Sequence, residues 1–391
     1  MIERTISPTI REMAGYYPVV TITGPRQSGK TTLAKALFPG HSYFNLETGH
    51  VRDAALSDPR AFLAQGRHGI VLDEIQKAPS LLEYIQASVD EDGTCGRFIL
   101  TGSHQPELAQ AIGESLAGRT GLAELLPLST TELATAGHDT ANRDRMLFQG
   151  SMPRLYASRI PATRFYADYF RTYVERDVRR ILNVSDLDRF ERFVKLLAGR
   201  VGQLVNRQSL AADVGVSDKT VDSWIGVLRA SYIVFPLRPY HRNFGKRQVK
   251  TPKIYFTETG LVSYLLGIRS AGEVATHPLV GGLFENFVIA EALKARLNRG
   301  LEPDLHFYRN SSGSLEVDLL MEDHGRLYPV EIKSSSTYDA SMSRHLTAFS
   351  KLCPEAGKGR VVYSGETIPN IAVHFADVPA WCIYDGERGQ S

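Results

Sequence analysis

The chain has 391 residues, of which 43% are hydrophobic and 23% are charged, and its formal net charge is +2. This length predicts two or three domains that each bury a core, and the composition is ordinary for a soluble globular protein. A net charge so close to zero excludes a protein that holds nucleic acid by its overall charge, so any nucleic-acid surface must be local.

From the first residues of the chain we expect no targeting signal. Residues 1–5, MIERT, lack a basic start followed by an apolar core, and no later run reaches the length of a membrane span. The cysteines Cys95, Cys353 and Cys382 are far apart and form no CxxC pair, which argues against a disulfide framework and a cysteine-based zinc site. We therefore expect a cytoplasmic protein without a membrane partner.

Residues 18–37 predict a strand, a glycine-rich loop and a helix in that order. The β-branched run 18–23 is typical of a buried strand, and apolar residues recur at helical spacing after the loop. Between them, GPRQSGKTT at residues 24–32 fits the phosphate-loop pattern GxxxxGK[ST]. The alternative is a chance glycine-rich turn, which we expect in about one chain in a hundred of this length. The flanking strand and helix favour a nucleotide site.

The residue types of the loop suit a phosphate. Glycines leave room for backbone N–H groups to surround phosphate oxygens, and the following helix adds the positive end of its dipole. We expect Lys30 to reach the β- and γ-phosphates and the Thr31 hydroxyl to ligate Mg²⁺. The predicted nucleotide-binding residues are Gly24, Pro25, Arg26, Gln27, Ser28, Gly29, Lys30, Thr31 and Thr32.

An acidic pair follows a second predicted strand. In GIVLDEIQ, residues 69–76, three consecutive apolar residues predict a buried parallel strand, and Asp73 and Glu74 stand where it emerges. We expect Asp73 to hold Mg²⁺ through water and Glu74 to orient or deprotonate the attacking water. The alternative is a solvated turn or a helix N-cap.

A third predicted strand, in RFILTGSHQ at residues 97–105, ends in polar residues. We predict that Ser103 lies between the other two strand ends and senses the γ-phosphate. The alternative is that Ser103 only caps a helix.

Several stretches together resemble one family. GPRQSGKTT, LDEIQKAP, LTGSHQ, ESLAGRTGLAELLPLS and YVERDVRRI look like the AAA-type ATPase domain of a widespread prokaryotic family whose members also carry a C-terminal domain of unknown function. The resemblance implies an α/β P-loop NTPase of AAA+ type, with a parallel sheet and flanking helices, over residues 1–165. It also implies ATP rather than GTP as the cofactor, with Mg²⁺.

Two arginines are candidates for a place beside the γ-phosphate, where a positive charge speeds hydrolysis. Arg119 stands in LAGRT, and Arg26 stands inside the loop itself. The alternative for Arg119 is a surface position or a salt bridge. Because AAA-type modules often complete their site with a neighbour's arginine, the resemblance also raises a homo-oligomer as an alternative.

Residues 166–257 predict a helical lid and linker followed by a winged helix-turn-helix. A helix at 210–214, a break at Gly215 and a second helix capped by Ser217 resemble this motif. The loop 238–250, RPYHRNFGKRQVK, would be a basic wing that straddles the phosphates of DNA. Acidic residues on the second helix weigh against major-groove binding, and a protein-contact module is the alternative.

Residues 258–391 predict an α/β domain with charged residues on a sheet face. Glu285 lies in a predicted helix, Asp318 in the strand EVDLL, and Glu331 and Lys333 share one face of the strand PVEIKS. Buried carboxylates need a partner or a metal. The helix acid, the Asp and the ExK in this order resemble the PD-(D/E)xK nuclease superfamily and its restriction-endonuclease-like fold.

That resemblance implies a second site. Glu285, Asp318 and Glu331 would bind Mg²⁺, and Lys333 would activate water or stabilise charge on a phosphate. The motif departs from the superfamily at Val317, where a proline often precedes the aspartate. The alternative is a buried ion-pair cluster in a nuclease fold without activity.

Two functions follow. In the first, an ATPase drives a DNA-binding arm that ends in a Mg²⁺-dependent nuclease. In the second, an ATP-dependent signalling or scaffold switch uses an inactive nuclease-like domain to bind partners. Both predict ATP hydrolysis with Lys30 and Glu74 as catalytic residues, and they differ at Asp318, Glu331 and Lys333.

Overall fold

The computed structural model of the protein describes residues 1–103, 106–174, 187–240 and 251–378. It divides into two compact units. Unit 1 comprises Met1–Leu128, Ala230–Tyr232 and Leu297–Leu301, and unit 2 comprises the described residues of Ser129–Arg229, Ile233–Arg296 and Glu302–Ser391. Among the described residues, no helix has both the length and the apolar character needed to cross a membrane.

Unit 1 alternates strands and helices. Its helices and strands are α1 (Ser7–Tyr16), β1 (Val19–Thr23), α2 (Lys30–Leu37), β2 (Ser42–Asn45), α3 (Gly49–Ser57), α4 (Pro59–Leu63), β3 (Ile70–Asp73), α5 (Leu81–Glu91), β4 (Phe98–Gly102), α6 (Pro106–Ser115) and β5 (Thr120–Glu124). A short 3₁₀ helix, Ile75–Lys77, follows β3.

The five strands of unit 1 form one parallel sheet in the order β2-β3-β4-β1-β5. All residues of β1, β3 and β4 are buried, as expected for strands covered by helices on both faces. The predicted α/β architecture with a parallel sheet is confirmed. Because all the strands run the same way, the residues that follow β1, β3 and β4 meet at one edge of the sheet.

Unit 2 begins with helices. These are α7 (Thr130–Thr135), α8 (Arg143–Gln149), α9 (Pro153–Ala157), α10 (Ala162–Tyr169), α11 (Leu187–Ala198), α12 (Arg207–Val214) and α13 (Asp218–Ala230). Gly215 ends α12 in the left-handed region, with φ at 80°, and the Ser217 hydroxyl accepts a hydrogen bond from the Thr220 backbone at the start of α13. Trp224 packs against two phenylalanines of α11.

The described remainder of unit 2 contains a mixed sheet and four further α-helices. In chain order these are β6 (Val234–Pro239), β7 (Lys253–Phe256), α14 (Thr259–Leu265), α15 (Ala271–Val274), α16 (Val280–Leu297), β8 (Leu305–Arg309), β9 (Glu316–Asp323), β10 (Arg326–Lys333), α17 (Arg344–Leu352), β11 (Arg360–Tyr363) and β12 (Ala372–His374).

The sheet of unit 2 has the order β12-β11-β10-β9-β8-β6-β7. Strand β9 is antiparallel to both β8 and β10, whereas β10 and β11 are parallel. The predicted domain boundary after residue 257 falls between β7 and α14, within unit 2. Residues 241–250 of the predicted wing and residues 175–181 of YVERDVRRI lie outside the described residues.

Candidate functional site

The phosphate loop joins β1 to α2, as the spacing predicts. Gly24 has φ at 144° and Gly29 has φ at 97°, both in the region that favours glycine. A Cβ on Gly24 would lie 2.2 Å from the backbone oxygen of Leu125, so a larger residue does not fit there. The hydroxyl of Ser28 is buried and has no hydrogen-bond partner among the described residues, which suits a loop that closes on a ligand.

Lys30 is buried at the start of α2. Its Nζ donates to the backbone oxygens of Gly24 at 2.9 Å and Pro25 at 2.8 Å. Burial lowers the pKa of Lys30 to about 8, and the positive charge of Arg26 also lowers it, while the carboxylates of Glu74 and Asp73 oppose the shift. An ammonium group in this position can exchange its two backbone acceptors for phosphate oxygens.

Asp73 ends β3 and is surrounded by hydroxyl donors. Thr31 Oγ1 lies 2.9 Å from Asp73 Oδ1 and 3.0 Å from Oδ2, Tyr43 OH donates to Oδ2 at 2.7 Å, and Thr101 Oγ1 donates to Oδ1. A threonine hydroxyl and a carboxylate in contact are the hard oxygen ligands that Mg²⁺ prefers. The residues present therefore fit the ion that the sequence predicts.

Glu74 follows Asp73 in a left-handed backbone conformation, with φ at 61°. Gln76 Nε2 donates both to Glu74 Oε2 and to Ser103 Oγ, the latter at 3.0 Å. The structure thus brings Glu74 and Ser103, predicted from two separate strands, to the same amide nitrogen of Gln76. A left-handed conformation is uncommon for a non-glycine residue, but Glu74 shares it with five other described residues, so by itself it assigns no role.

Four residues of this site escaped the sequence analysis. Arg4 Nη1 donates to the Ser28 backbone oxygen at 2.8 Å, and Arg4 Nη2 donates to the backbone oxygen of Leu126 at 2.7 Å, so a buried arginine braces the phosphate loop. Tyr43, Thr101 and Gln76 complete the set around the two acids. Gln76 and Thr101 stand inside the quoted motifs GIVLDEIQ and RFILTGSHQ, whereas Arg4 and Tyr43 have no spacing signal.

Arg119 is not brought to this site within the chain. It precedes β5, and its backbone oxygen accepts from the Val19 backbone at the amino end of β1, the end opposite to the phosphate loop. Its guanidinium makes a bidentate ion pair with Asp90, with contacts of 2.7 and 3.0 Å. The expectation that Arg119 lies beside the γ-phosphate of a nucleotide bound to the same chain is therefore wrong. Arg119 instead forms a surface salt bridge with Asp90. Arg26, the other candidate arginine, lies in the loop between β1 and α2.

A second cluster lies in unit 2, on α16, β9 and β10. Lys333 Nζ lies 2.6 Å from Glu331 Oε1 and 3.6 Å from Asp318 Oδ2, and the Ile332 backbone N–H donates to Asp318 Oδ2 at 2.8 Å. His345 Nδ1 lies 3.4 Å from Glu331 Oε1. The ExK residues and the aspartate are therefore close together, as the sequence predicts.

The helical acid of this cluster has its own partners. Lys253 Nζ lies 2.9 Å from Glu285 Oε1 and 2.7 Å from Glu316 Oε1, and Tyr255 OH donates to Glu285 at 2.5 Å. Lys253 is almost fully buried, and its pKa is nevertheless raised because Glu285, Asp318 and Glu316 together outweigh the effect of burial. A lysine thus supplies positive charge beside the predicted metal ligand Glu285.

Burial dominates the electrostatics of the carboxylates. It raises the pKa of Glu331 to about 8, helped by the negative charge of Asp318 and opposed by Lys333. Burial also raises the pKa of Glu285. Oε2 of Glu331 has no hydrogen-bond partner among the described residues. Among the residues that the structure describes, no group of three or more His, Cys, Asp or Glu side chains has the arrangement of a metal site.

Comparison with protein families divides the chain into three matched regions. Residues 16–134 match the family model described as AAA domain. Residues 140–272 and 280–383 match two domains of unknown function, DUF8612 and DUF4143. The site around Lys30 and Asp73 falls in the first region, and the cluster around Glu331 falls in the third.

Two mycobacterial proteins are similar to nearly the whole chain. Uncharacterized protein Rv2008c of Mycobacterium tuberculosis is 32% identical over 366 residues, which cover 93% of this chain and 80% of that protein. Uncharacterized protein Mb2031c of Mycobacterium bovis gives the same values. The similarity therefore includes both units.

Likeness to solved structures is weaker. The Walker-type ATPase paby2304 of Pyrococcus abyssi is 13% identical with a TM-score of 0.45, and the match covers 68% of this chain and 96% of that one. AMPPCP-bound DnaA from Aquifex aeolicus is 12% identical with a TM-score of 0.30, and the match covers 57% and 85%. At these scores, the chemistry must be argued from the residues of this chain.

Proposed function

The chain belongs to the family of the mycobacterial proteins Rv2008c and Mb2031c, and we propose that it is a switch that binds and hydrolyses ATP with Mg²⁺. Its N-terminal region is a P-loop AAA-type ATPase domain. The observation that carries the proposal is the contact between Thr31 and Asp73, because it joins the two motifs that a nucleotide hydrolase uses to hold its metal ion.

Each residue has a defined task in this reaction. Lys30 binds the β- and γ-phosphates after leaving its backbone acceptors, and the Thr31 hydroxyl and the Asp73 carboxylate hold Mg²⁺. When bound, Mg²⁺ neutralises charge that develops on the phosphate oxygens. Glu74 orients the attacking water and accepts its proton. In this proposal Ser103 contacts the γ-phosphate, which its hydrogen bond to Gln76, the partner of Glu74, supports.

ATP turnover by the full chain tests this proposal. Lys30→Ala is expected to abolish turnover in the presence of Mg²⁺, because it removes the cation that binds the phosphates. Arg97→Ala is the control: it also removes a cation from unit 1, but Arg97 pairs with Asp92 just before β4, at the edge of the sheet away from the loop. Turnover that survives in Lys30→Ala would contradict the proposal.

We propose that the charged residues of unit 2 form a buried ion-pair cluster in a nuclease-like domain that binds partners and does not cleave nucleic acid. Lys253 and Tyr255 occupy Oε1 of Glu285, and Lys333 contacts both Asp318 and Glu331, of which Glu331, with its pKa raised to about 8, holds a proton at lower pH. Removing such a lysine from a buried pair would leave an uncompensated charge, so the pairs are integral to the fold. The ammonium group of Lys253 already lies at Glu285, where the predicted metal ion would bind. This arrangement fits an inactive nuclease-like domain better than a metal centre.

A Mg²⁺-dependent nuclease is the second candidate for unit 2. Two observations favour it: the order helix, three strands, helix and strand from α16 to β11, and the unpaired, buried Oε2 of Glu331. DNA would be the substrate of the nuclease or the partner of the switch, bound through α12, α13 and the predicted wing. Arg207 on α12 lies 2.6 Å from Asp222 on α13. It therefore neutralises one of the acidic residues that weigh against the binding of α13 in the major groove.

One experiment separates the two candidates. The full chain is incubated with Mn²⁺ and labelled single-stranded, duplex and branched DNA, with and without ATP, and DNA binding is followed by anisotropy in the same samples. We expect no cleavage. Cleavage that is lost in Asp318→Asn but retained in Asp323→Asn, a change on the same strand, would replace the switch proposal with the nuclease.

A further inference from the structure

Gln76 stands between the two residues that face the attacking water and the γ-phosphate. It follows Glu74 by two positions, in the 3₁₀ helix Ile75–Lys77, and only 8% of its surface is exposed. Its Nε2 donates to Glu74 Oε2 and, at 3.0 Å, to Ser103 Oγ. The amide therefore links the ends of β3 and β4 through side chains rather than through the sheet.

The orientation of this amide is fixed by charge. Nε2 must face Glu74, because an amide oxygen in that place would meet a carboxylate oxygen with no hydrogen between them. Oε1 of Gln76 consequently points elsewhere, and among the described residues it has no hydrogen-bond partner. A buried, unpaired acceptor costs about 1–3 kcal/mol, so a native protein that keeps one indicates a missing donor.

The backbone supports the same reading. Glu74 has φ at 61°, which places it in the left-handed region. Its backbone N–H lies 3.4 Å from Thr101 Oγ1, and the Lys77 backbone N–H donates to its carbonyl oxygen at 2.9 Å. Strain of this kind persists only where surrounding contacts hold the residue. The turn that strains Glu74 is the turn that brings Gln76 back to it.

We infer that Gln76 is a catalytic residue for ATP hydrolysis: its amide N–H positions Glu74 and Ser103, and its amide oxygen accepts a hydrogen bond from the attacking water. This inference rests on the proposed ATPase function. A glutamine is suited to the task because it donates and accepts at once without changing its charge. Two acceptors, Glu74 and Gln76 Oε1, then take the two hydrogens of one water and leave its lone pair free.

The step balances without a further reactant. The water oxygen forms a bond to the γ-phosphorus, and the bond from that phosphorus to the bridging oxygen breaks with its electron pair on ADP. One water proton passes to the Glu74 carboxylate and then to solvent, and the other stays on the phosphate product. Gln76 holds the second proton by a hydrogen bond and is unchanged, so its removal should slow the step and leave ATP binding intact.

The test measures kcat, KM and the binding of a non-hydrolysable ATP analogue in the full chain. Gln76→Ala is expected to lower kcat by about 10- to 100-fold and to leave analogue binding within about twofold, since the lost interaction acts only in the reaction step. Gln110→Ala is the matched control, because Gln110 Nε2 donates to Glu114 at 2.8 Å on the exposed surface of α6. It should keep the wild-type kcat.

Gln76→Glu supplies a readout that a purely structural role would not move. Glutamate keeps the size of the side chain but, as a carboxylate, has no N–H to donate to Glu74 and Ser103, so kcat should fall as it does in Gln76→Ala. The inference is overturned if Gln76→Ala keeps the wild-type kcat, or if its kcat and analogue affinity fall together. The proposed function is tested separately, by comparing the ATP turnover of the wild type with that of Lys30→Ala. If the wild type shows no turnover that depends on Lys30, the proposed function is refuted, whatever the Gln76 variants do.

Discussion

The hydroxyl of Thr31 lies within 3.0 Å of both carboxylate oxygens of Asp73. Thr31 belongs to the first turn of α2 and Asp73 ends β3, so two motifs 42 residues apart meet at one point. Tyr43, on the neighbouring strand β2, donates to the same carboxylate at 2.7 Å. Asp73 is thus oriented by hydroxyl groups from separate elements.

Removing the Tyr43 hydroxyl should weaken the use of Mg²⁺. In Tyr43→Phe, Asp73 Oδ2 loses a donor that fixes its direction, and changes to such outer partners typically cost about 10- to 100-fold in metal affinity or activity. A Mg²⁺ titration of ATP turnover measures this as a higher half-saturating concentration. Tyr84→Phe, at an exposed position on α5, is the control. An unchanged Mg²⁺ requirement in Tyr43→Phe would show that Tyr43 does not orient Asp73.

ATP affinity should fall as the pH rises above 8. Burial lowers the pKa of Lys30 to about 8 in the free protein, and bound phosphates raise it because they favour the charged ammonium. Binding therefore takes up a proton above pH 8, and the Kd should increase there by up to about tenfold per pH unit. Calorimetry with a non-hydrolysable analogue from pH 7 to 9.5 measures the change.

Lys30→Arg is the control for this pH dependence. Arginine stays protonated throughout the range, so the affinity of the variant should be flat, whatever its absolute value. A wild-type Kd that is equally flat would contradict the lowered pKa of the lysine.

Gly24→Ala should abolish ATP binding. The new Cβ would lie 2.2 Å from the Leu125 backbone oxygen, and φ is 144° at this position, so the start of the phosphate loop must move. Gly118→Ala is matched in having a positive φ, 73°, but its Cβ would meet no atom within 4 Å. It should lose about 1 kcal/mol of stability and keep its affinity for ATP. Equal loss of binding in both variants would assign the effect to stability alone.

The sequence predicts the phosphate loop because its chemistry depends on neighbours in the chain. Strand, glycines, lysine and threonine are contiguous, and Asp73 and Glu74 follow directly from the end of a buried strand. Tyr43 could not be predicted in the same way, because its contact with Asp73 depends on β2 lying beside β3 in the sheet. Arg4 likewise acts on Ser28 and Leu126, which are far from it in the chain.

The position of Arg119 in the fold could not be predicted from the spacing of residues in its motif. A residue near a parallel strand lies at the carboxyl or the amino edge of the sheet according to which end of the strand it flanks. The stretch LAGRTGLAE does not reveal where β5 begins, and it begins at Thr120, directly after Arg119. In unit 2, alternation correctly placed Glu331 beside Lys333, but the partner of Glu285 is Lys253, from a strand that no motif marked.

The free energy of unfolding should depend far more on Lys294 than on a surface lysine. Lys294 Nζ donates to Glu291 at 2.7 Å and to Ser151 Oγ at 2.9 Å, and its side chain is 4% exposed. Lys294→Met would leave the buried Glu291 without its cation and should cost about 3–5 kcal/mol. Thermal and denaturant unfolding of the full chain measure the loss.

Lys195→Met is the matched control. Lys195 pairs with Glu191 at the same 2.7 Å, also on a helix, but it is 52% exposed. Its removal should change stability by about 0.5 kcal/mol or less. Similar losses in the two variants would mean that water reaches the Lys294 pair.

The stability of the Glu331→Gln variant relative to the wild type should increase as the pH rises from 5 to 8. The pKa of Glu331 is raised from 4.5 to about 8 in the folded protein by burial and the neighbouring Asp318 charge. Between these values the folded state binds a proton that the unfolded state has lost, so the wild type loses stability from pH 4.5 to 8, whereas the neutral glutamine does not. The difference in melting midpoint, variant minus wild type, should therefore grow by about 4 °C or more between pH 5 and 8 and then level off. Scans in EDTA measure it, with the exposed Glu302→Gln as a control, and a difference that stays constant or shrinks with pH would contradict a raised pKa at Glu331.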